Sequence, residues 1–290
     1  MKKVLILLIL LAAAVTALAG VSPKDIYKQY RETICLITYY QNIASDSRIG
    51  SFNKIKRHRI GILVSADGLV MASSDIYPVS LDMVSGANSM LSGKPSDFKI
   101  KLSDGTEYPA EFLGKDDQAQ TALIRLKDLP QDKKFAYVSF VSTEKYGVAD
   151  SVYCLELLPQ YYDFQPLFTP HLINAVIESP RRKFLINNYT TGLSAGGLVL
   201  DSQGRAIGMT LGQDIDFIFH PPTEFEELRK DYLEIAPSEW FTEFIQNPPE
   251  SENDQTGQKA WLGIRMQGLS RELQAYWKVP QSGGIIINKV

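Results

Sequence analysis

The hydrophobic pattern of this chain changes along its length, from a continuous apolar run near the N-terminus to short apolar segments separated by turn signals. Repeated short segments of this kind are typical of β-barrels and sandwiches. A first set of predicted strands comprises Ile34–Tyr39, Ile60–Val64, Leu69–Ala72, Phe98–Leu102, Tyr108–Leu113 and Ala122–Leu126. A second set comprises Ser151–Leu158, Leu172–Glu178, Phe184–Ile186, Gly197–Leu200, Ala206–Leu211 and Phe217–Phe219. The pattern predicts an all-β protein with two barrels.

Short helices are predicted on both sides of the strands. Ser22 and Pro23 suit the cap and first turn of an N-terminal helix. Residues 238–246 form one amphipathic pattern, with Ser238 as the expected cap and Trp240, Phe241, Phe244 and Ile245 on one side. The predicted organisation is a leader (1–19), a first barrel with the N-terminal helix (20–130), a second barrel with the C-terminal helix (131–247), a polar linker (248–259) and a last segment (260–290).

The N-terminal segment has the composition of a secretory signal peptide. Lys2 and Lys3 precede the apolar run Val4–Val15, and Ala17-Leu18-Ala19 suits a cleavage site before Gly20. We therefore expect a periplasmic or secreted protein. An uncleaved N-terminal membrane anchor is the alternative interpretation.

Composition narrows the range of partners. The formal net charge of −3, with 22% charged and 44% hydrophobic residues, is ordinary for a globular protein and gives no reason to expect nucleic acid as a partner. No zinc-type spacing of cysteine and histidine is present, so no metal or cofactor is predicted. Cys35 and Cys154 lie in apolar runs and are interpreted as buried thiols of separate cores, with a disulfide as the alternative.

Several motifs occur in an order that points to one family. Gly61–Ala72 is similar to the pattern G-V-I-I-S-x-D-G-Y-I-L-T, and Leu102–Ala110 to L-S-D-G-x-x-Y-P-A. Ile235–Ser238 resembles A-I-P-S at a helix start, and Trp261–Ile264 looks like the opening of a PDZ domain. With these motifs the chain resembles the HtrA/DegP family of trypsin-like serine proteases. The resemblance implies two six-stranded antiparallel barrels with the active site between them, polypeptide substrates and a homotrimeric assembly.

The resemblance places the nucleophile loop of the family on residues 191–199. Where the family has G-N-S-G-G-P-L-V, this chain has Gly-Leu-Ser-Ala-Gly-Gly-Leu-Val from Gly192 onwards. Ser194 then has the nucleophile position, and the backbone N–H groups of Gly192 and Ser194 would form the oxyanion hole. Leu193, Ala195 and Gly197 depart from the family pattern.

The other two positions of the catalytic triad are changed. Asp75 stands where the family's T-N-x-H-V has histidine, and Gln120 stands where D-x-x-x-D-L-A has its second aspartate, although a small shift would bring Asp116 or Asp117 nearer. A serine hydroxyl is a poor nucleophile until a base takes its proton, and histidine does so because its pKa lies near the working pH. Loss of the histidine alone typically lowers turnover by about 10⁶.

No other histidine is an obvious substitute. His58 lies in a basic run before the second predicted strand and is interpreted as a solvated loop residue. His171 is interpreted as a structural residue of the second barrel. His220 is expected in a loop near the rim of the site, which makes it the histidine to examine as a base.

The C-terminal segment is predicted to be a truncated PDZ domain. Leu262, Gly263 and Ile264 would form the loop whose N–H groups grip a peptide carboxylate, beside a strand edge that receives the peptide. The chain ends before the helix that lines such a groove.

Three functional hypotheses follow. The first is a catalytically inactive HtrA-like protein that binds unfolded polypeptides or regulates an active HtrA-like relative. The second is an active serine endopeptidase that uses Ser194 with a non-standard base. The third is a truncated product without a stable function.

Overall fold

The structure is a computed structural model, and it describes residues 21–42, 54–76, 95–116, 118–179, 181–187, 195–211, 232–250, 265–268, 276–278 and 285–289. The chain divides into two compact units, residues 1–252 and 253–290.

The first unit begins with a closed antiparallel barrel. Its strands are β1 (Ile34–Asn42), β2 (Lys54–Leu63), β3 (Leu69–Ser73), β4 (Ser96–Lys101), β5 (Glu107–Asp116) and β6 (Thr121–Leu126), in the order β1-β2-β3-β6-β5-β4. Gly68 and Gly105 occupy the predicted turns with φ of 88° and 85°, which other residues adopt only with steric cost. Alternating inward side chains, among them Ile37, Val70 and Ile124, fill the interior.

A second closed barrel follows in the same unit. Its strands are β7 (Ser151–Leu157), β8 (Pro166–Ile177), β9 (Lys183–Asn187), β10 (Leu198–Asp201), β11 (Ala206–Thr210) and β12 (Tyr232–Pro237), in the order β10-β11-β12-β9-β8-β7. Two six-stranded antiparallel barrels confirm the predicted all-β double-barrel fold. The two thiols are free and buried: Cys35 lies in the core of the first barrel and Cys154 in that of the second.

The sixth strand of the second barrel was not predicted. The predicted strand Phe217–Phe219 lies outside the described residues, whereas Tyr232–Pro237 forms β12 and pairs with both β9 and β11. The segment around Ile235 was interpreted as a helix start. Burial alternates only from Tyr232 to Ile235, and the last three residues of the strand are buried in succession, so the alternation that distinguishes a strand from a buried helix is short.

The N-terminal helix connects the two barrels. Helix α1 (Pro23–Tyr30) is capped as predicted, with the hydroxyl of Ser22 accepting from the backbone N–H of Lys24 at 3.2 Å. The hydroxyl of Tyr30 donates to the carbonyl of Gly204 in the β10–β11 turn at 2.7 Å. Ile26 and Tyr30 belong to a core that also includes side chains of β2 and β10. The helix therefore packs against both barrels and stabilises the contact between them.

The C-terminal helix differs from its prediction. A 3₁₀ turn (Ser238–Trp240) precedes helix α2 (Thr242–Gln246), and Phe241 lies between them. Ser238 does not cap the helix, because its hydroxyl donates to the carbonyl of Val141 at 2.7 Å. The predicted apolar side is confirmed, since Trp240, Phe241, Phe244 and Ile245 all pack on the shared core.

The second unit contains one described pair of strands. Strand β13 (Arg265–Gly268) pairs antiparallel with β14 (Ile285–Lys289). The predicted peptide-binding residues Leu262, Gly263 and Ile264 lie outside the described residues.

Candidate functional site

The position predicted for the catalytic base lies in a turn at the end of β3. Residues Ser74–Ile76 form one 3₁₀ turn, and Ile76 anchors it in the core of the first barrel with no exposed surface. The backbone N–H of Ser74 donates to the carbonyl of Gln120 at 3.0 Å. The fold therefore brings the two residues predicted to occupy triad positions, Asp75 and Gln120, into adjacent turns.

The turn that carries Gln120 is shaped by a neighbouring carboxylate. Gln120 has φ of 52°, a left-handed conformation, and lies between the buried residues Ala119 and Thr121. The Oδ1 atom of Asp116 accepts from the N–H groups of Gln118 at 2.7 Å and Ala119 at 3.0 Å. Asp116 therefore holds the turn. Asp117, the other predicted alternative, lies outside the described residues.

Asp75 is engaged by an arginine that was not singled out in the sequence. Its Oδ2 atom lies 3.1 Å from Nε of Arg59 on β2, within ion-pair distance. Nη1 of Arg59 donates to the carbonyl of His58 at 2.9 Å. The other carboxylate oxygen, Oδ1 of Asp75, is buried and has no hydrogen-bond partner among the described residues. One carboxylate oxygen thus contacts a guanidinium, and the other contacts no donor in the described part of the chain.

A crevice of about 490 Å³ opens between the barrels beside Asp75. The first barrel contributes one wall and the second barrel the other, and most of the side chains that face the space are apolar. The lining residues are Leu36, His58, Arg59, Ile60 and Asp75 from the first barrel, and Leu157, Leu158, Pro159, Gln160, Phe164 and Ala195 from the second. An apolar crevice with a few polar groups is the usual form of a binding site.

His58 lies in the wall of this crevice, so its interpretation as a solvated loop residue was wrong. It belongs to β2, opposite Thr38 of β1, and its Nδ1 atom lies 3.1 Å from the hydroxyl oxygen of Thr38. Its ring packs 4.8 Å from the ring of Phe164 at an interplanar angle of 50°. Burial, with a smaller contribution from the charge of Lys56, holds the pKa of His58 below its ordinary value of 6.5. His58 is therefore a half-buried imidazole that favours its neutral form.

Strand alternation could have located His58. In β2 the positions of His58, Ile60 and Ile62 share one face, and the two isoleucines are buried. The strand was predicted to begin at Ile60 because the preceding lysine and arginine residues obscure the alternation. The alternation that places His58 on the inward face is present in the sequence, but the charged residues around it favoured the interpretation as a solvated loop.

Only the second half of the predicted nucleophile loop is described. Gly192, Leu193 and Ser194 lie outside the described residues. Gly196 has φ of 97°, and its N–H donates to the carbonyl of Thr210 at 2.8 Å. A Cβ atom on Gly196 would lie 3.2 Å from the carbonyl oxygen of Ile60, so this part of the loop lies directly against β2.

A buried glutamate accounts for one departure from the family pattern. A Cβ atom on Gly197 would lie 2.4 Å from Cγ of Glu156, which has no exposed surface. The hydroxyl of Thr210 accepts from the N–H of Gly197 at 2.7 Å and lies 3.3 Å from Oε1 of Glu156. Glycine is required here because Glu156 fills the space that a side chain would need.

The remaining predicted residues lie elsewhere. His171 belongs to β8, where its Nε2 atom is 2.8 Å from the hydroxyl of Thr169, and it lines a separate surface pocket with Leu172 and Asn187. His220 lies outside the described residues. In the described part of the chain, no helix is long and apolar enough to cross a membrane.

Comparisons with known proteins agree with the double-barrel fold. Residues 60–209 match the model of a family described as trypsin-like peptidase domain. The chain is similar to a probable periplasmic serine endoprotease, DegP-like, of Rhizobium meliloti (strain 1021), with 22% identity over 203 residues. That match covers 66% of this chain and 36% of the relative, so the chain spans about a third of the relative's length.

Solved structures show the same architecture. The HtrA-type protease AlgW with a decapeptide has a TM-score of 0.55 at 14% identity, over 93% of this chain and 79% of that chain. A serine-to-alanine variant of AlgW with a tripeptide has a TM-score of 0.57 at 14% identity, over 93% of this chain and 76% of that chain.

Proposed function

The chain belongs to the trypsin-like peptidase family, and from this premise we propose that it is a catalytically inactive member of the HtrA/DegP type that binds unfolded or partner polypeptides in the cell envelope. Its role is chaperone-like or regulatory. The ion pair between Asp75 and Arg59 at the position of the catalytic base is the observation that carries this proposal.

The chemistry of peptide-bond cleavage needs a base beside the serine. A hydroxyl attacks a carbonyl only when a neighbouring group accepts its proton, and imidazole is the group that trypsin-like enzymes use. Here that position holds a carboxylate with a guanidinium partner, and the third position holds the amide of Gln120, which carries no charge to stabilise an imidazolium. Ser194 therefore lacks the activation that its position in the family pattern requires.

The binding role is supported by the crevice between the barrels. Its apolar lining offers a surface for the side chains of an extended polypeptide, and binding of this kind does not depend on a catalytic base. The periplasm or the cell exterior is the proposed location, a homotrimer the proposed assembly, and an active HtrA-like relative a proposed partner. Leu262, Gly263 and Ile264 are proposed to hold a peptide carboxylate. Analytical ultracentrifugation of the purified chain tests the trimer.

Two measurements on the same purified full chain test the proposal. We expect no labelling of Ser194 by a fluorophosphonate probe and no digestion of casein, together with suppressed aggregation of a reduced, unfolded protein. An active family member labelled in parallel is the positive control. Labelling that disappears in Ser194→Ala would contradict an inactive site.

A second candidate function, an active serine endopeptidase, is favoured by the position of His58. His58 and Ala195, the residue after Ser194, line the same crevice. In the tautomer whose Nδ1–H donates to Thr38, Nε2 keeps the lone pair that a general base uses. If this function is correct, His58→Gln abolishes fluorophosphonate labelling, whereas His171→Gln, the matched control in the second barrel, retains it.

A further inference from the structure

The loop between β7 and β8 has an unusual backbone conformation. Its ends are fixed, because Leu157 pairs with Pro166 and the N–H of Leu158 donates to the carbonyl of Gln165 at 2.8 Å. Inside the loop, Asp163 and Phe164 are both left-handed, with φ of 52° and 54°. Aspartate tolerates this conformation, but for an aromatic residue it is disfavoured. Such strain persists only where the surroundings over-determine it.

The left-handed pair directs Phe164 into the space between the barrels. Its ring is half-buried and packs against His58 at 4.8 Å. Phe164 lines the crevice beside Asp75, and it also lines a second cavity of about 300 Å³ bounded by Ile34, Leu36 and the β4–β5 turn. Leu36 and Leu157 line both spaces as well. Phe164 therefore lies between two neighbouring cavities at the barrel interface.

We infer that Phe164 is an autoinhibitory plug, the resident apolar occupant of the crevice, which an apolar side chain of an unfolded polypeptide displaces. The inference rests on the proposed function, since it names how the proposed binding site is regulated. Displacement of the ring relieves the left-handed backbone of Asp163 and Phe164 and joins the two cavities into one groove. Only the displaced state offers the full groove, so the apparent affinity is reduced by the fraction of molecules in that state.

The tip of the same loop supplies a matched control. Tyr161 is 88% exposed and contacts the ring of Tyr162 edge-on at 5.0 Å. It belongs to the loop but does not line the crevice. A substitution at Tyr161 therefore perturbs the loop without removing the plug.

Fluorescence anisotropy with fluorescein-labelled, reduced and carboxymethylated α-lactalbumin, which stays unfolded, tests the inference on the full chain. We expect Phe164→Ala to lower the dissociation constant about tenfold, which corresponds to a displaced state populated at about one tenth in the unaltered protein. We expect Tyr161→Ala to leave it unchanged. Asp163→Gly should raise it about threefold, because glycine adopts the left-handed conformation without steric cost and so stabilises the plugged loop.

Phe164→Ala and Asp163→Gly are expected to change the dissociation constant in opposite directions, so each variant tests the inference separately. Thermal melting first establishes that each variant is folded, and Asp163→Gly remains informative even where Phe164→Ala does not fold. Equal or weaker binding by Phe164→Ala, or tighter binding by Asp163→Gly, overturns the plug while leaving the proposed binding function intact. Absence of binding by every variant, including the unaltered protein, overturns the proposed function and the plug with it.

Discussion

Two aspartates, Asp201 in the second barrel and Asp75 beside the crevice, differ in how completely their carboxylates are bonded. Asp201 is 2% exposed, and its oxygens accept from the hydroxyl of Tyr146 at 2.9 Å, from Nε of Arg205 at 2.8 Å and from the N–H of Gln203 at 2.9 Å. Asp75 has one ion pair, with Arg59, and a buried oxygen without a hydrogen-bond partner among the described residues.

This difference in hydrogen bonding indicates that Asp201 stabilises the fold, whereas Asp75 contributes little to its stability. Buried polar groups in stable proteins are almost always hydrogen-bonded, because an unpaired group loses its hydration without compensation. Asp201 fits this rule and closes the β10–β11 turn. Asp75 fits it poorly, while its turn is held by Ile76 and by the backbone of Gln120. We therefore expect that the side chain at this predicted triad position can change without loss of the fold.

The largest expected effect is that of Asp201→Ala. The substitution leaves the hydroxyl of Tyr146 and the amides of the turn without an acceptor, so we expect the free energy of unfolding to fall by about 3 kcal/mol. Urea titration followed by tryptophan fluorescence measures it. Asp97→Asn is the control, since that side chain is 56% exposed, accepts only surface contacts from Lys54 and Ser96 among the described residues, and has a φ of 56° that asparagine tolerates. It should change stability by less than about 0.5 kcal/mol. If the two variants lowered the free energy of unfolding equally, Asp201 would contribute no more to stability than an exposed aspartate.

A smaller effect is expected at Glu239, which joins the C-terminal turn to the segment between the barrels. Its carboxylate accepts from the N–H of Thr143 at 2.6 Å, from the hydroxyl of Thr143 at 2.7 Å and from that of Ser142 at 3.1 Å. Because the side chain is largely exposed, water replaces part of what is lost, and we expect Glu239→Ala to lower the free energy of unfolding by about 1 kcal/mol. Glu243→Ala, in the following helix, should have no measurable effect in the same titration.

Lowering the pH should protonate Asp201 and so remove its contribution to the free energy of unfolding. Burial alone raises the pKa of Asp201, but the hydrogen bonds from Arg205, Tyr146 and the turn amides outweigh it, and the pKa lies below its ordinary value of 3.8. A lowered folded-state pKa stabilises the fold above the unfolded-state pKa, and that stability is lost as the pH falls through the folded-state pKa. Urea midpoints measured from pH 6 to pH 2.5 should therefore fall less steeply below about pH 4 in Asp201→Asn than in the unaltered protein. Parallel curves would contradict this role.

Most of the fold could be predicted from the sequence, because short apolar segments and turn glycines recur where the strands and turns occur. Ser22, Gly68 and Gly105 act locally, so their roles follow from neighbouring residues alone. The missed strand Tyr232–Pro237 alternates in burial over only four residues and ends in three consecutive buried ones, which is too short a pattern to distinguish strand from helix.

The site was predicted only in part, for a different physical reason. The family motifs predict that Asp75 and Gln120 occupy the histidine and aspartate positions of the catalytic triad. In the structure, the turns that carry these two residues are adjacent. His58 and Arg59 lie on β2, whereas Asp75 follows β3 and Phe164 belongs to the β7–β8 loop, so these residues meet only in the folded protein. Contacts between distant segments leave no local pattern in a single sequence, so Arg59 and Phe164 could not be assigned before the fold was known, whereas the alternation in β2 could have located His58.

The smallest expected effect, that of Asp75→Ala, is the most direct test of the comparison. Removal of the carboxylate takes an ion-pair partner from Arg59, whose buried Nε makes no hydrogen bond among the described residues even in the unaltered protein, and whose Nη1 keeps its bond to the carbonyl of His58. The substitution also removes a buried oxygen of Asp75 that has no described hydrogen-bond partner. We expect the free energy of unfolding to change by less than about 0.5 kcal/mol, because a partly exposed ion pair contributes little. Urea titration beside Asp201→Ala measures it under identical conditions. A loss of about 2 kcal/mol or more would show that the fold depends on Asp75, and the residue would then be a structural replacement for the histidine instead of a tolerated change.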